Sequence, residues 1–267
     1  MLSARQQHCL QGMGIRLWRE RGEETVPAET PQAAAPETER KPAPPLEELL
    51  GTSTAPASAG VAPPEKKAGS MNETRSFPLD SWDQLHEGIE ACRNCALGDS
   101  CTRKVPGKGN HEASLMIIGE APGAQEDRQG MPFVGRAGQL LDRMLKAIDL
   151  KTEDVYITNI LKCRPPNNRD PLPSEVMACQ PFLQAQIRLL QPRVILSVGR
   201  VSAQNLLGQN TALGRLRQQQ HHLPGSDIPL LVTYHPAYLL RNPVEKAKVW
   251  QDLKRLKHSL SGSNTET

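Results

Sequence analysis

The chain has 267 residues, which suits one ordinary domain with a tail, and its 37% apolar content is too low to spread a core over the whole length. A net charge of +3 permits nucleic-acid binding without arguing for it. No run approaches the roughly 18 apolar residues of a membrane helix. Six cysteines are too sparse for a disulfide scaffold, and no apolar leader precedes a cleavage site, so a reducing, cytoplasmic setting is expected.

In chain order, residues 1–21 come first, with the apolar residues Leu10, Met13, Ile15, Leu17 and Trp18. An apolar cluster at the end of a polar arm reads as a docking peptide. Residues 22–76 follow as a tether crowded with proline, alanine and glutamate, and residues 22–72 have no aromatic side chain. Such a segment buries too little apolar surface to offset the cost of ordering it, so a disordered arm is expected. Residues 77–258 hold every aromatic residue except Trp18 and form the expected domain, and 259–267 read as a disordered tail.

Within the domain, helical and buried-strand patterns alternate. Residues 81–91 read as a helix, and Leu115-Met116-Ile117-Ile118 as a buried strand that stops at Gly119. Residues 136–148 carry Leu140, Leu141, Met144, Leu145 and Ile148 at helical spacing. A strand over 155–161, a helix over 173–190 and a strand over 194–198 follow. A helix over 201–207, a strand over 229–234 and a closing helix over 244–260 complete the pattern. This predicts an α/β fold, a central, mostly parallel sheet with helices on both faces. Gly107-Lys108-Gly109, ahead of the first strand, reads as a turn.

In such sheets the chemistry sits beyond the carboxyl ends of the strands. The first strand leads into Gly119-Glu120-Ala121-Pro122-Gly123, then Glu126 and Phe133 in a glycine-rich loop; the second ends near Asn159 and the fourth at His235. That set suits a planar polar ring. Phe133 can stack on it, Asn159 can donate and accept along one edge, and His235 can donate to a carbonyl oxygen. An acidic residue can orient water. Cys92 and Cys95 form a C-x2-C pair, with Cys163 and Cys179 further along. Four thiolates suit tetrahedral zinc or an iron–sulfur cluster, and spacing alone does not choose between them.

Four strings in order carry a resemblance. They are Gly119-Glu120-Ala121-Pro122-Gly123; Gly130-Met131-Pro132-Phe133-Val134-Gly135-Arg136-Ala137-Gly138; Asn159-Ile160-Leu161-Lys162-Cys163-Arg164-Pro165-Pro166 with Asn168-Arg169-Asp170-Pro171; and Tyr234-His235-Pro236-Ala237-Tyr238-Leu239-Leu240-Arg241-Asn242-Pro243. Together with the cysteines they make residues 77–258 similar to family 4 uracil-DNA glycosylases, the iron–sulfur class of that superfamily. The resemblance implies a DNA-repair glycosylase that hydrolyses the N-glycosidic bond of uracil, in single- or double-stranded DNA, as a monofunctional, monomeric enzyme. It implies a [4Fe–4S] cluster on Cys92, Cys95, Cys163 and Cys179, with Cys101 outside the set. Catalytic work falls to Glu120, Glu126 and His235, and uracil binding to Phe133, Asn159 and Gly123. Better-known uracil glycosylases carry a tyrosine where Gly123 stands, which blocks thymine's methyl group, so other packing must exclude thymine here.

DNA contacts are expected from Arg164, Arg169 and Arg241, and from Arg215 and Arg217. Tyr238, Leu239 and Leu240 are expected to wedge into the gap left by the flipped base. The peptide from Leu10 to Arg21 resembles the N-terminal peptide of the clamp-loader psi subunit, implying the clamp-loader collar as its partner. The competing reading is a zinc-stapled, non-enzymatic DNA-binding module. It does not explain why Phe133, Asn159 and His235 share one sheet edge.

Overall fold

A computed structural model of the chain describes residues 79–262. The expected docking peptide, the tether and residues 263–267 of the expected tail lie outside the described residues.

Helix α1 (Trp82–Ala91) starts at Ser81, whose side chain accepts from the Gln84 amide and satisfies one of the free N–H groups of the first turn. A short α2 (Leu97–Ser100) and a two-residue strand β1 (Lys108–Gly109) lead to β2 (Leu115–Gly119). Then come α3 (Ala124–Gln129), α4 (Arg136–Ala147), β3 (Tyr156–Asn159), α5 (Pro173–Leu190) and β4 (Val194–Val198). The remainder is α6 (Arg200–Leu207), α7 (Leu213–Leu216), β5 (His221–His222), β6 (Pro229–Thr233), α8 (Pro236–Arg241) and α9 (Lys246–Ser261).

The sheet order is β1-β3-β2-β4-β6-β5. The four inner strands are parallel, and the edge strands β1 and β5 pair antiparallel. Alternate residues of each strand face opposite sides. Leu115, Ile117, Ile157, Leu196 and Val198 pack with Leu141 and Leu145 of α4 and Leu253 of α9. Met116, Ile118, Tyr156, Ile195 and Val232 pack on the other face with Leu183 of α5, Ala203 of α6 and Leu216 of α7. The layered α/β/α architecture predicted from the alternating pattern is thus the one observed.

Gly107-Lys108-Gly109 is a correction: Lys108 and Gly109 form β1, paired with Ile157 and Tyr156. The expected strand over 155–161 is shorter, because beyond Asn159 the chain turns away toward Cys163. Two short helices, α3 and α8, stand where the sequence pattern assigned no element, and α9 takes in residues 259–261 of the expected tail.

The chain goes from β2 to β3 on one side and returns across β2 to reach β4 on the other. A crevice opens at such a reversal, outside the carboxyl ends of the strands. Gly119 lies opposite Asn159 and Val198 opposite Thr233, so these ends are level.

Candidate active site

A cleft of about 450 Å³ opens at that edge. Glu120, Gly123, Glu126, Phe133, Asn159 and His235 all line it, so the sequence-predicted pocket residues come together in one place. Arg169, Arg241 and Tyr238 line it too. The sequence reading missed Asp170, Asn168 and Ala137 as lining residues. The first two stand in the quoted string after Asn159, but no pattern there tells loop packing from cleft lining.

The floor of the cleft depends on Gly119. A Cβ at that position would lie 2.3 Å from Asn159 Oδ1 and 2.9 Å from Phe133 Cζ, so only glycine lets the amide and the ring sit over the strand end. Asn159 is buried, with 2% of its surface exposed. At the floor of the cleft its side-chain amide offers a donor and an acceptor to a ligand edge. Its backbone carbonyl is held by the buried Lys162 ammonium at 2.6 Å, which also bonds Thr158 Oγ1 at 2.8 Å and Gln186 Oε1 at 2.7 Å.

His235 caps α8: its Nδ1 accepts from the Ala237 amide at 3.2 Å. An acceptor at Nδ1 leaves Nε2–H as the donor of a neutral ring. Burial pushes the imidazole pKa down to about 4, Arg241 pushes in the same direction, and Glu126 opposes them. The His235 and Phe133 rings lie 5.7 Å apart at 30°. The end of β6 that carries His235 is fixed from behind. Thr233 Oγ1 donates to Asp252 at 2.7 Å, and the buried Arg217 Nε donates to the same carboxylate at 2.8 Å.

Phe133 has a left-handed backbone, φ 51°, as does Asn168 across the cleft lining, φ 53°. The carboxylate of Glu126 braces the loop after it, Oε1 accepting from the Val134 and Gly135 amides at 3.0 and 3.1 Å. Glu120, the other acidic candidate, has a different setting. Burial raises its pKa above the usual carboxylate value, Asp170 adds to the rise, and Arg200 opposes it. Asp170 is itself paired with Arg200.

The basic and wedge residues divide. Arg241 is exposed at the rim. Arg164 donates to Asn168 Oδ1 at 2.8 Å, and Arg169 is forked onto Glu175, where it closes the loop ahead of α5. Arg217 is a correction: it is 6% exposed and serves the Asp252 network, with its guanidinium 4.5 Å over the Tyr234 ring. Leu239 is a second correction, since it is 1% exposed in the core beneath α8 and is unavailable as a wedge. Tyr238 and Leu240, on the same helix, keep part of their surface in solvent.

Cys92, Cys95, Cys163 and Cys179 line one apolar cavity with Ile89, Leu161 and Phe182, which joins the end of α1, the chain beyond β3 and the middle of α5. The Lys162 amide donates to Cys179 Sγ at 3.3 Å. Burial raises the pKa of the Cys92 and Cys163 thiols and pushes Cys179 up to about 11. Cys101 is not among the lining residues, although its sulfur is 3.2 Å from that of Cys163. Among the described residues no three His, Cys, Asp or Glu side chains are gathered tightly enough to clasp a single metal ion. The apolar cavity with its four thiols fits an iron–sulfur cluster, whose irons take four thiolates.

A family model of the uracil DNA glycosylase superfamily matches residues 106–254. The type-4 uracil-DNA glycosylase of Archaeoglobus fulgidus is 41% identical over 184 residues, covering 67% of this chain and 92% of the relative. That of Saccharolobus solfataricus is 40% identical over 190 residues, covering 68% and 88%. That of Thermotoga maritima is 39% identical over 176 residues, covering 65% and 91%. With its layered sheet, its strand-end cleft and these matches, the chain belongs to the uracil-DNA glycosylase superfamily and groups with its type-4 members.

Proposed function

We propose that the cleft hydrolyses the N-glycosidic bond of uracil in DNA, leaving free uracil and an abasic site. The observation that carries this reading is the convergence of Phe133, Asn159 and a neutral, donor-fixed His235 in one cleft of a uracil-DNA glycosylase fold. A stacked base is out of reach of such a cleft, so the nucleotide must be flipped into it. Phe133 stacks on the flipped ring. Asn159 donates to O4 and accepts from N3–H, a pattern that cytosine inverts and that leaves its buried amide unpaired.

As C1′–N1 breaks, the electron pair leaves with N1 and negative charge spreads to O2. The His235 Nε2–H stabilises that charge where it develops. Glu120 faces the cation-like sugar and orients the water whose oxygen bonds to C1′; the water's proton passes to the carboxylate or to solvent. Glu126 acts as a brace and a wall, because one of its oxygens is already committed to two amides. No amine is placed for a Schiff base in this scheme, so the enzyme is a hydrolase without lyase activity.

Cys92, Cys95, Cys163 and Cys179 would hold a [4Fe–4S] cluster. When bound, that group supplies a cross-link rather than redox chemistry, since the reaction transfers no electrons. Arg164, Arg241 and Arg169 face DNA phosphates, and Tyr238 and Leu240 reach toward the gap left by the flipped base. Action as a monomer is part of the same proposal, and size-exclusion chromatography with light scattering tests it. The peptide 1–21 lies outside the described residues; its proposed partner is the clamp-loader collar, tested by pull-down with the Trp18→Ala variant. Among the described residues no helix is long and apolar enough to cross a membrane.

Release of free uracil from single- and double-stranded oligonucleotides carrying one uracil tests the reading. No release by the iron-replete protein refutes it, and a metal-dependent, uracil-independent affinity for DNA would instead favour the binding-module reading.

A further inference from the structure

Phe133 poses a problem that the mechanism does not solve. Its backbone is left-handed at φ 51°, a region a bulky side chain seldom occupies without outside support. The support comes from both ends of one peptide group. Lys108 Nζ donates to the Phe133 carbonyl at 3.2 Å, and the amide of the same peptide plane, Val134 N–H, donates to Glu126 Oε1 at 3.0 Å. A positive charge thus sits at the oxygen end and a negative charge at the hydrogen end of one dipole. Rotating the peptide by half a turn would present each charge with the wrong pole. The third wall is Gly138, where a Cβ would lie 1.9 Å from the Phe133 oxygen.

Lys108 is well placed for this duty by its strand. β1 is pressed against β3, and a Cβ on Gly109 would lie 1.9 Å from the Val155 carbonyl. The flanking glycines leave Lys108 as the one side chain that this short edge can offer. Its ammonium is partly buried, and Asp142 and Glu126 are the acidic groups that face it.

We propose that Lys108 is a positioning residue for base recognition, which with Glu126 clamps the Phe133–Val134 peptide and so sets the stacking ring over Asn159 and beside His235. The inference rests on Phe133 being the stacking residue.

The test is single-turnover excision from a uracil oligonucleotide by wild type and the variants Lys108→Met, Lys108→Arg and Phe133→Ala. DNA affinity, iron content and thermal midpoint are measured on the same samples. Lys108→Met should slow the chemical step about tenfold at saturating enzyme, with affinity for DNA carrying an abasic site within about twofold of wild type. Lys108→Arg keeps the charge and the donor and should recover most of the rate. A Lys108→Met rate equal to wild type overturns the proposal, as does a Lys108→Arg variant equally slow with an unchanged thermal midpoint. A loss confined to DNA affinity would make Lys108 a phosphate contact and likewise overturns it. Unimpaired excision by Phe133→Ala would remove the stacking role beneath it, which separates that failure from failure of the clamp.

Discussion

The carboxylate of Glu126 ends where a side chain on Gly123 would begin: its Oε2 lies 2.8 Å from the place a Cβ would occupy. The sequence reading left thymine exclusion unexplained, because position 123 has no side chain to block a methyl group. The structure supplies a group for that space from the next turn of chain. Glu126 Oε1 is anchored on two amides, so the second oxygen has a fixed place rather than a swinging one.

If Glu126 is that wall, shortening it should relax selectivity. Glu126→Ala should excise uracil more slowly, because the Phe133 loop loses its brace. The ratio of uracil to thymine excision should narrow by about ten- to a hundredfold, the range one methyl group commands in a shaped pocket. Glu126→Gln keeps the bulk and should keep most of the ratio. Parallel single-turnover assays on G·U and G·T duplexes measure it, and an unchanged ratio in Glu126→Ala assigns the exclusion elsewhere.

Acid sensitivity should identify the working carboxylate. Glu120 is held above the usual carboxylate range by burial and by Asp170, whereas His235 stays neutral down to about 4. As pH falls, Glu120 therefore takes up its proton at a higher pH than an ordinary carboxylate, and activity that needs the carboxylate is lost with it. Glu120→Gln should be slow, on the order of a hundredfold, and should lack that limb of the pH–rate profile. Stability follows the histidine with its own sign. Its pKa is depressed from 6.5 to about 4, so the unfolded chain binds the proton first. Stability present above 6.5 is lost as pH falls toward 4. Denaturation midpoints of wild type and His235→Gln across that window separate the two effects.

Iron and sulfide analysis should sort the cysteines. Alanine at Cys92, Cys95, Cys163 or Cys179 should each lower iron content sharply, and Cys101→Ala should retain it. The four line one cavity, while Cys101 only approaches Cys163 from outside it. Iron loss in Cys101→Ala with retention in Cys95→Ala would exchange their places in the ligand set.

Most of the architecture was legible because β2 and β4 are buried along their whole length and read as mainly apolar runs, unbroken in Leu115-Met116-Ile117-Ile118. The edge strands were not legible. Lys108–Gly109 and His221–His222 are too short to show a period, and their pairing is decided by β3 and β6. The shared cleft of Glu120, Asn159 and His235 was legible because each stands at or just past a strand end. Leu239 and Arg217 were misassigned for one reason. Neither a leucine in a short helix nor an arginine among polar neighbours announces its burial, and only the packing of α8 and α9 puts them inside.

The Arg217 correction carries a stability prediction. Its guanidinium is buried against Asp252, which also receives Thr233 at the end of the strand that presents His235. Arg217→Ala leaves the buried Asp252 carboxylate with only Thr233 and the half-exposed Arg255, and should cost about 2–3 kcal/mol, less than a carboxylate stripped of every partner. Urea denaturation measures it, and a loss below ~1 kcal/mol would return Arg217 to the surface role first expected of it.

The most direct test of the recognition and leaving-group assignments is single-turnover uracil excision by wild type, Asn159→Ala and His235→Ala, followed by alkali. DNA affinity is measured alongside. Wild type should give breaks that require both uracil and alkali. Each variant should be slowed on the order of a hundred- to a thousandfold, the usual cost of removing a group that stabilises the developing anion or fixes its geometry, with DNA binding preserved. Near-normal excision by both variants, or breaks that form without alkali, would contradict the account.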